Sequence, residues 1–194
     1  MTDTKAKILN AASELFLEGG ASALSVRAIS KRAGLSTIGI YSHFQGKQGI
    51  LDALYIEGFG YVSNAVNVEE QGEGPLERII IAAERYLQMA AHHKAHYKLV
   101  FGEGDSSYEP SEEAKSAGRT AFEELVNQAA KALPDGVSWA QKQEFAVGIW
   151  ALLHGYVSLS DHAVTNLVET QNWRDMILKS LTAYVQAQLE AFSH

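Results

Sequence analysis

Residues 25–47 read SVRAISKRAGLSTIGIYSHFQGK, and this stretch decides the fold of the N-terminal part of the chain. Ser25 is placed to cap a helix whose apolar positions Val26, Ile29 and Ala33 recur at i, i+3 and i+7. Gly34 stands where that helix must stop, because glycine tolerates the left-handed conformation past a helix end. Ser36 is placed to cap a second helix, in which Ile40 and Phe44 lie one turn apart and face back toward the first. Two short amphipathic helices joined by Ala33-Gly34-Leu35-Ser36 describe a helix-turn-helix, a plan that lays its second helix in a DNA major groove.

The second helix can be read around its circumference. With Ile40 and Phe44 inward, Ile38, Gly39 and Ser42 project outward, and Tyr41 and His43 flank the buried seam. Thr37, Ile38 and Gly39 are therefore the candidate base readers, and Tyr41 and His43 the candidate clamps on the phosphate walls. Lys47, at the start of the following helix, can meet a phosphate beside that helix's free N–H groups. Ser25, Arg27 and Ser36, at the N-terminal ends of the two helices, complete the candidate DNA-binding set. Arg27 suits a phosphate, with a guanine edge as the alternative. Thr37-Ile38-Gly39 carries no amide or guanidinium for bidentate base recognition, so discrimination is expected to be partly apolar and indirect. The bland alternative is a helix-turn-helix lookalike inside an ordinary helical domain.

Wider stretches carry a family resemblance. KILNAASELFLEGG, followed by SVRAISKRAGLSTIGIYSHFQGKQGILDAL, resembles the N-terminal domain of TetR-family regulators, the tetracycline-repressor-like proteins. The likeness runs without a gap from about Lys5 to Tyr55. It rests on the run Ile8-Leu9-Ala11-Ala12-Leu15-Phe16, the Ala33–Ser36 turn and the close Tyr41-x-His43-Phe44-x-x-Lys47. The resemblance implies a regulator that pairs its last two helices with a second copy in a four-helix bundle and reads a palindromic operator. Further on, Trp150-Ala-Leu-Leu-His154-Gly155 and Tyr97-Lys98-Leu99-Val100-Phe101 resemble the WHG subfamily of TetR C-terminal domains. A proline common before the second element is absent, with Lys94 near its place.

Composition fits a folded helical protein. The chain of 194 residues is 46% hydrophobic and holds only three prolines, few enough to leave helices uninterrupted. It has no cysteine, which excludes disulfides, thiolate metal sites and a cysteine nucleophile. No apolar run reaches the length of a membrane span and no signal-peptide pattern is evident, so a cytoplasmic protein without membrane contact is expected. The charge is divided unevenly. Residues 1–50 hold six Lys/Arg against three acids, a net +3, while residues 51–194 hold ten against twenty, a net −10. A basic head and an acidic body orient approach to a polyanion, although surface charge can fluctuate this much by chance.

The expected fold is all-α, about nine helices, with a helix-turn-helix head over residues 1–50 and a ligand-binding and dimerisation domain over residues 51–194. A helix from about Lys47 to Val66 leaves the head, weakened by Gly49, Gly58 and Gly60. Breaks follow at EEQGEGP, ending on Pro75, and in an acidic segment from Gly102 to about Ser111, which is expected to be mobile. Further helices are predicted from Pro75 toward Ala91, from Ser111 to Leu133, from Gln141 to Ser160 and from Asn172 to Phe192. The penultimate helix carries apolar residues on nearly every side, including Val147, Trp150, Leu153 and Val157, and so should be buried on nearly every side. A dimer interface and an ordinary monomer core both fit that pattern.

Chemistry other than binding has little support. His92, His93 and His96 form HHxxH, two imidazoles of which could share a metal from one helix face; a solvated face is the expected alternative. Asp161-His162 has no third member. No P-loop, Gly-x-Ser-x-Gly elbow, HExxH or dinucleotide fingerprint occurs, and no cofactor is called for. Tyr86, Met89, Phe101, Phe122, Trp150 and His154 are candidates for lining an effector cavity, or else they fill a core. The expectation is a ligand-responsive transcriptional repressor binding an operator as a homodimer and released by a small organic effector. The alternatives are a helical enzyme with a DNA-binding head, and a constitutive DNA- or partner-binding module without an effector.

Overall fold

Ser25 and Ser36 start their helices as their positions require. Each has extended backbone, and each hydroxyl oxygen accepts the N–H three residues on, from Ala28 at 3.0 Å and from Gly39 at 3.2 Å. Gly34 is left-handed at φ 67°, and the Leu35 N–H donates to the Ser30 carbonyl at 2.9 Å, which closes the first of the two helices. The computed structural model describes residues 3–69, 74–101, 108–160, 162, 165 and 172–192. Among these there are nine α-helices and no strand. They are α1 (Asp3–Gly19), α2 (Val26–Ala33), α3 (Thr37–Phe44), α4 (Lys47–Val66), α5 (Pro75–His92), α6 (Lys94–Val100), α7 (Glu112–Ala130), α8 (Trp139–Ser160) and α9 (Trp173–Phe192). A single 3₁₀ turn, Gly20–Ala23, follows α1. Residues 70–73 of the first polar break, residues 102–107 of the acidic segment and Asp161 lie outside the described residues.

The chain forms two compact units, residues 1–61 with 92–120 and residues 62–91 with 121–194. The core of the first unit gathers Ile8, Leu9, Ala12, Leu15 and Phe16 of α1, Ile29 of α2, Ile40 and Phe44 of α3, and Ile50, Leu51 and Leu54 of α4. Ala95 and Leu99 of α6 enter the same core, so a helix far along the chain completes it. Helix α4 is unbroken from Lys47 to Val66 despite its glycines. A Cβ at Gly49 would stand 1.9 Å from the Phe44 carbonyl oxygen, and one at Gly58 would stand 2.8 Å from Val100 Cγ1. These two glycines are therefore spaces for neighbours, where the sequence suggested only weak points.

In the second unit α8 packs against α9: the Phe145 ring stacks on Tyr184, the Tyr156 hydroxyl meets Ser180 Oγ at 2.9 Å, and Phe145, Ile149, Leu153, Ile177, Leu181 and Val185 are buried. The close approach falls at Gly148, where a Cβ would stand 2.0 Å from the Tyr184 hydroxyl oxygen. At Gly155, which a helical pattern alone would equally allow to admit a neighbouring helix, a Cβ would meet no described atom within 4 Å. Helix α8 begins at Trp139, ahead of the predicted Gln141, because Ser138 and Gln141 cap each other. The Ser138 N–H donates to Gln141 Oε1 at 3.1 Å and the Gln141 N–H to Ser138 Oγ at 3.4 Å. Nor is α8 buried all round: Val147 is 42% exposed and Leu159 50% exposed. No helix among the described residues is long and apolar enough to cross a membrane.

Candidate nucleic-acid interface

The recognition helix α3 presents two different faces. Ile40 is fully buried and Phe44 nearly so, which fixes the helix against α1 and α2. On the opposite side Ile38 is 78% exposed and Tyr41 57% exposed, with Thr37 and Ser42 exposed beside them. The outer face of α3 thus leaves an isoleucine and a tyrosine side by side in solvent. Gly39 and His43 are half-buried, while Ser25, Arg27 and Ser36 are exposed at the helix starts. The turn from α3 into α4 uses two positive φ angles, 57° at Gln45 and 123° at Gly46. The Tyr41 ring lies over Gly46, where a Cβ would stand 3.4 Å from Tyr41 Cε1.

The charges of the head sort themselves by pairing. Arg32 donates to both carboxylate oxygens of Glu18, at 3.0 and 2.9 Å, and to Glu14 at 3.1 Å. The Arg32 hydrogen bond, against the opposing effect of desolvation, holds the Glu18 carboxyl below the usual carboxylate range. Lys7 pairs with Asp3 at 2.6 Å. All three acids of the first fifty residues are thus neutralised from within. Lys5, Arg27, Lys31 and Lys47 stand outside every ion pair among the described residues. Lys47 is nevertheless held: its Nζ donates to the Ala21 carbonyl at 2.7 Å, tying the start of α4 to the 3₁₀ turn after α1. Sequence reasoning gave Lys47 a phosphate role and missed this tether, which depends on a residue 26 positions away.

The candidate effector-lining residues divide between the units. Tyr86 and Met89 on α5, Phe122 on α7, and Trp150 and His154 on α8 all belong to the second unit. Tyr86 and Met89 are buried, and the Phe122 and Trp150 rings meet with centroids 6.4 Å apart. Phe101 belongs to the first unit, where its ring packs edge-on against Tyr97 at 4.6 Å and Phe59 at 6.4 Å.

Two polar clusters in the first unit were not legible in the sequence. Asp52 Oδ1 on α4 accepts from the Tyr108 hydroxyl at 2.8 Å, the Ser111 N–H at 3.1 Å and Gln48 Nε2 at 3.2 Å. Burial first, and then Asp52, pushes the Tyr108 phenol far above its ordinary range. The second cluster corrects the expectation of a solvated histidine face: His96 is 9% exposed, with Nε2 2.9 Å from Glu57 Oε2, and His93 stacks on Tyr61. No group of three or more potential metal ligands occurs among the described residues.

A short capped helix with an exposed outer face, seated on two others at the basic end of an all-helical chain, defines the helix-turn-helix class. Residues 8–54 match the family model for bacterial regulatory proteins of the tetR family, and residues 79–172 match that of the tetracyclin repressor-like C-terminal domain. The chain belongs to the TetR family. The C-terminal match is to that model, and the WHG likeness of Trp150, His154 and Gly155 remains one of short motifs. Among curated relatives, the chain is 31% identical over 104 residues to an uncharacterized HTH-type transcriptional regulator, YvkB of Bacillus subtilis, covering 53% of each. It is 37% identical over 54 residues to the HTH-type transcriptional regulator UidR of Escherichia coli, covering 28% of each. The chain thus spans about half the length, or less, of these curated relatives. Two solved structures share its fold. FadR, a fatty acid degradation regulator from Bacillus halodurans, aligns with TM-score 0.70 at 14% identity over 97% of this chain and 96% of its own. A single-site variant of TetR from Acinetobacter baumannii, in complex with minocycline, aligns with TM-score 0.64 at 18% identity over 100% of this chain and 99% of its own.

Proposed function

We propose that this chain is a ligand-responsive transcriptional repressor that binds a palindromic operator as a homodimer and is released by a small organic effector. The observation that carries the reading is the outer face of α3, where Thr37, Ile38 and Tyr41 are exposed on a helix whose inner face is locked into the core. Residues 1–50 read DNA and residues 51–194 bind the effector and the second copy. Ile38 suits a thymine methyl, Thr37 offers a hydroxyl and a methyl, and Arg27, Tyr41, His43 and Lys47 suit the backbone.

Dimerisation through α8 and α9 is supported by the apolar surface left on this chain. Val147 and Leu159 are exposed on α8, and a shallow groove along α9 is lined by Leu178, Thr182 and Ala183 with Asp175, Lys179 and Gln186 at its edges. A second copy would cover them, and two-fold pairing supplies two recognition helices for two half-sites. The effector reading is supported by the C-terminal match and by the minocycline held by a protein of the same fold. Tyr86, Met89, Phe122, Trp150 and His154 are the candidate lining in the second unit. Decisive release requires about 10⁴-fold tighter effector binding to one state than to the other.

Selection of duplexes from a random library, followed by binding at several salt concentrations, tests the reading. Two to four cationic contacts per subunit give an expected slope of log K against log salt of roughly −4 to −7. Lys47→Ala should weaken all duplexes about equally, whereas Thr37→Ala should change the sequence recovered. A slope near zero, or a library from which nothing is enriched, would overturn the proposal.

A further inference from the structure

Helices α4 and α6 approach closely at Gly58, where a Cβ would stand 2.8 Å from Val100 Cγ1 and 3.3 Å from His96 Cβ. Beside that crossing, Glu57 of α4 and His96 of α6 meet at 2.9 Å, in surroundings that leave His96 almost inaccessible. Tyr61, one turn along α4, stacks on His93 with ring centroids 3.8 Å apart and meets His96 edge-on at 5.1 Å. The His93 and His96 rings are 5.9 Å apart. Reading DNA uses none of these groups.

We propose that Glu57 and His96 form a proton-operated latch that fastens α4 to α6 when His96 is protonated and slackens when it is neutral. The consequence for DNA affinity rests on the function proposed above; the latch itself does not.

Tyr61 from α4 and His93 from the α5–α6 junction stand beside the pair, and the exposed His92 acts on His93. The contact is an ion pair only with the imidazole protonated, and histidine changes charge between about pH 5 and 8. Glu57 stays ionised through that window, because the His96 hydrogen bond, against the cost of burial, holds its carboxyl below the usual range. Burial, then the charges of His96 and His92, holds His93 below the ordinary histidine range, against the pull of Glu57. Burial and Glu57 raise the Tyr61 phenol, which keeps its proton.

A charge-assisted hydrogen bond is roughly twice as strong as a neutral one. Losing the proton also leaves a half-buried carboxylate without its counter-charge. The latch therefore contributes while the imidazole carries its proton, and its contribution is lost with that proton. Below the window it fails again, when pH falls through the depressed Glu57 value. The mechanical link to α3 is direct. Helix α4 begins three residues after α3 ends, and α6 places Ala95 and Leu99 in the core that holds Ile40 and Phe44.

The test uses the full chain at pH 6 and pH 8, with Glu57→Gln, His96→Gln and the double variant. His96→Gln should lower the melting temperature by about 2–4 °C more at pH 6 than at pH 8, and Glu57→Gln should add nothing to it. Should a variant fail to fold, an NMR titration of the His96 ring in the unaltered protein replaces the series. Equal coupling at both pH values, or a His96 ring that does not titrate between pH 5 and 8, overturns the latch. On a duplex recovered by selection, affinity should fall about fivefold from pH 6 to pH 8. His96→Gln should lessen that fall, any remainder belonging to His43 at the DNA backbone. A fall unchanged in His96→Gln overturns the proposal. A chain that binds no duplex sinks the DNA reading, while the melting series still decides the latch.

Discussion

The two units bury helical apolar faces in the same way and leave different apolar side chains in solvent. In the first unit, α1, α2, α3, α4 and α6 turn their apolar stripes onto one another, and the acids of the head find cations nearby. Its large exposed apolar side chains, Leu17, Ile38 and Tyr41, include two on the outer face of α3. In the second unit α8 buries Phe145 and Ile149 and leaves Val147 and Leu159 in solvent. Exposed apolar residues thus mean different things. On α3 they fit the duplex contact proposed above, and on α8 they fit the proposed pairing with a second copy.

The sharpest way to break this comparison is to exchange the two faces of α3. Ile40→Ala should cost about 2–5 kcal/mol of stability, while Ile38→Ala should stay within about 0.5 kcal/mol, both read by urea unfolding. Similar losses at the two positions would mean that the faces are wrongly assigned. Next in size, Gly49→Ala must move backbone, since the Phe44 carbonyl stands where the Cβ would go; a loss of about 1–3 kcal/mol is expected. Ser25→Ala and Ser36→Ala should each cost about 1 kcal/mol. Leu159→Lys should change the folding of the single chain little and shift sedimentation toward monomer, which an unchanged sedimentation profile would contradict.

The smallest expected effect is in acid. Glu18 is held below the ordinary carboxylate range by Arg32, so folding favours its ionised form and the unfolded chain binds more protons. That contribution is complete above the ordinary range and is lost as pH falls through the folded value. Both groups are exposed and the pair is screened by salt, so the effect is slight. Arg32→Gln should remove this part of the acid transition in a low-salt pH series of melting temperatures.

What was legible in the sequence was local. Ser25, Gly34 and Ser36 announce two helices and a turn because a cap acts within three or four residues of its own position. The Ser138–Gln141 box had the same kind of signal, Ser followed three residues on by Gln, and went unread, which put the start of α8 two residues late. The contacts that defeated sequence reasoning join distant positions: Lys47 to Ala21, Asp52 to Tyr108, Glu57 to His96, and α6 to the core of the head. Gly148 and Gly155 look alike in a helical pattern, and only the position of Tyr184 separates them. The exposed side of α3 was derivable from helical period, since Ile40 and Phe44 fix which way the rest must point.

The bond from Lys47 to the Ala21 carbonyl also bears on how fast and how tightly an anion can be gripped. A surface lysine usually surrenders its rotamer freedom on meeting a phosphate, a loss of roughly 1.5–2 kcal/mol. Here one ammonium proton is already committed to the Ala21 carbonyl, with two protons left to donate. If Lys47 meets a phosphate as proposed, part of that loss has been taken during folding.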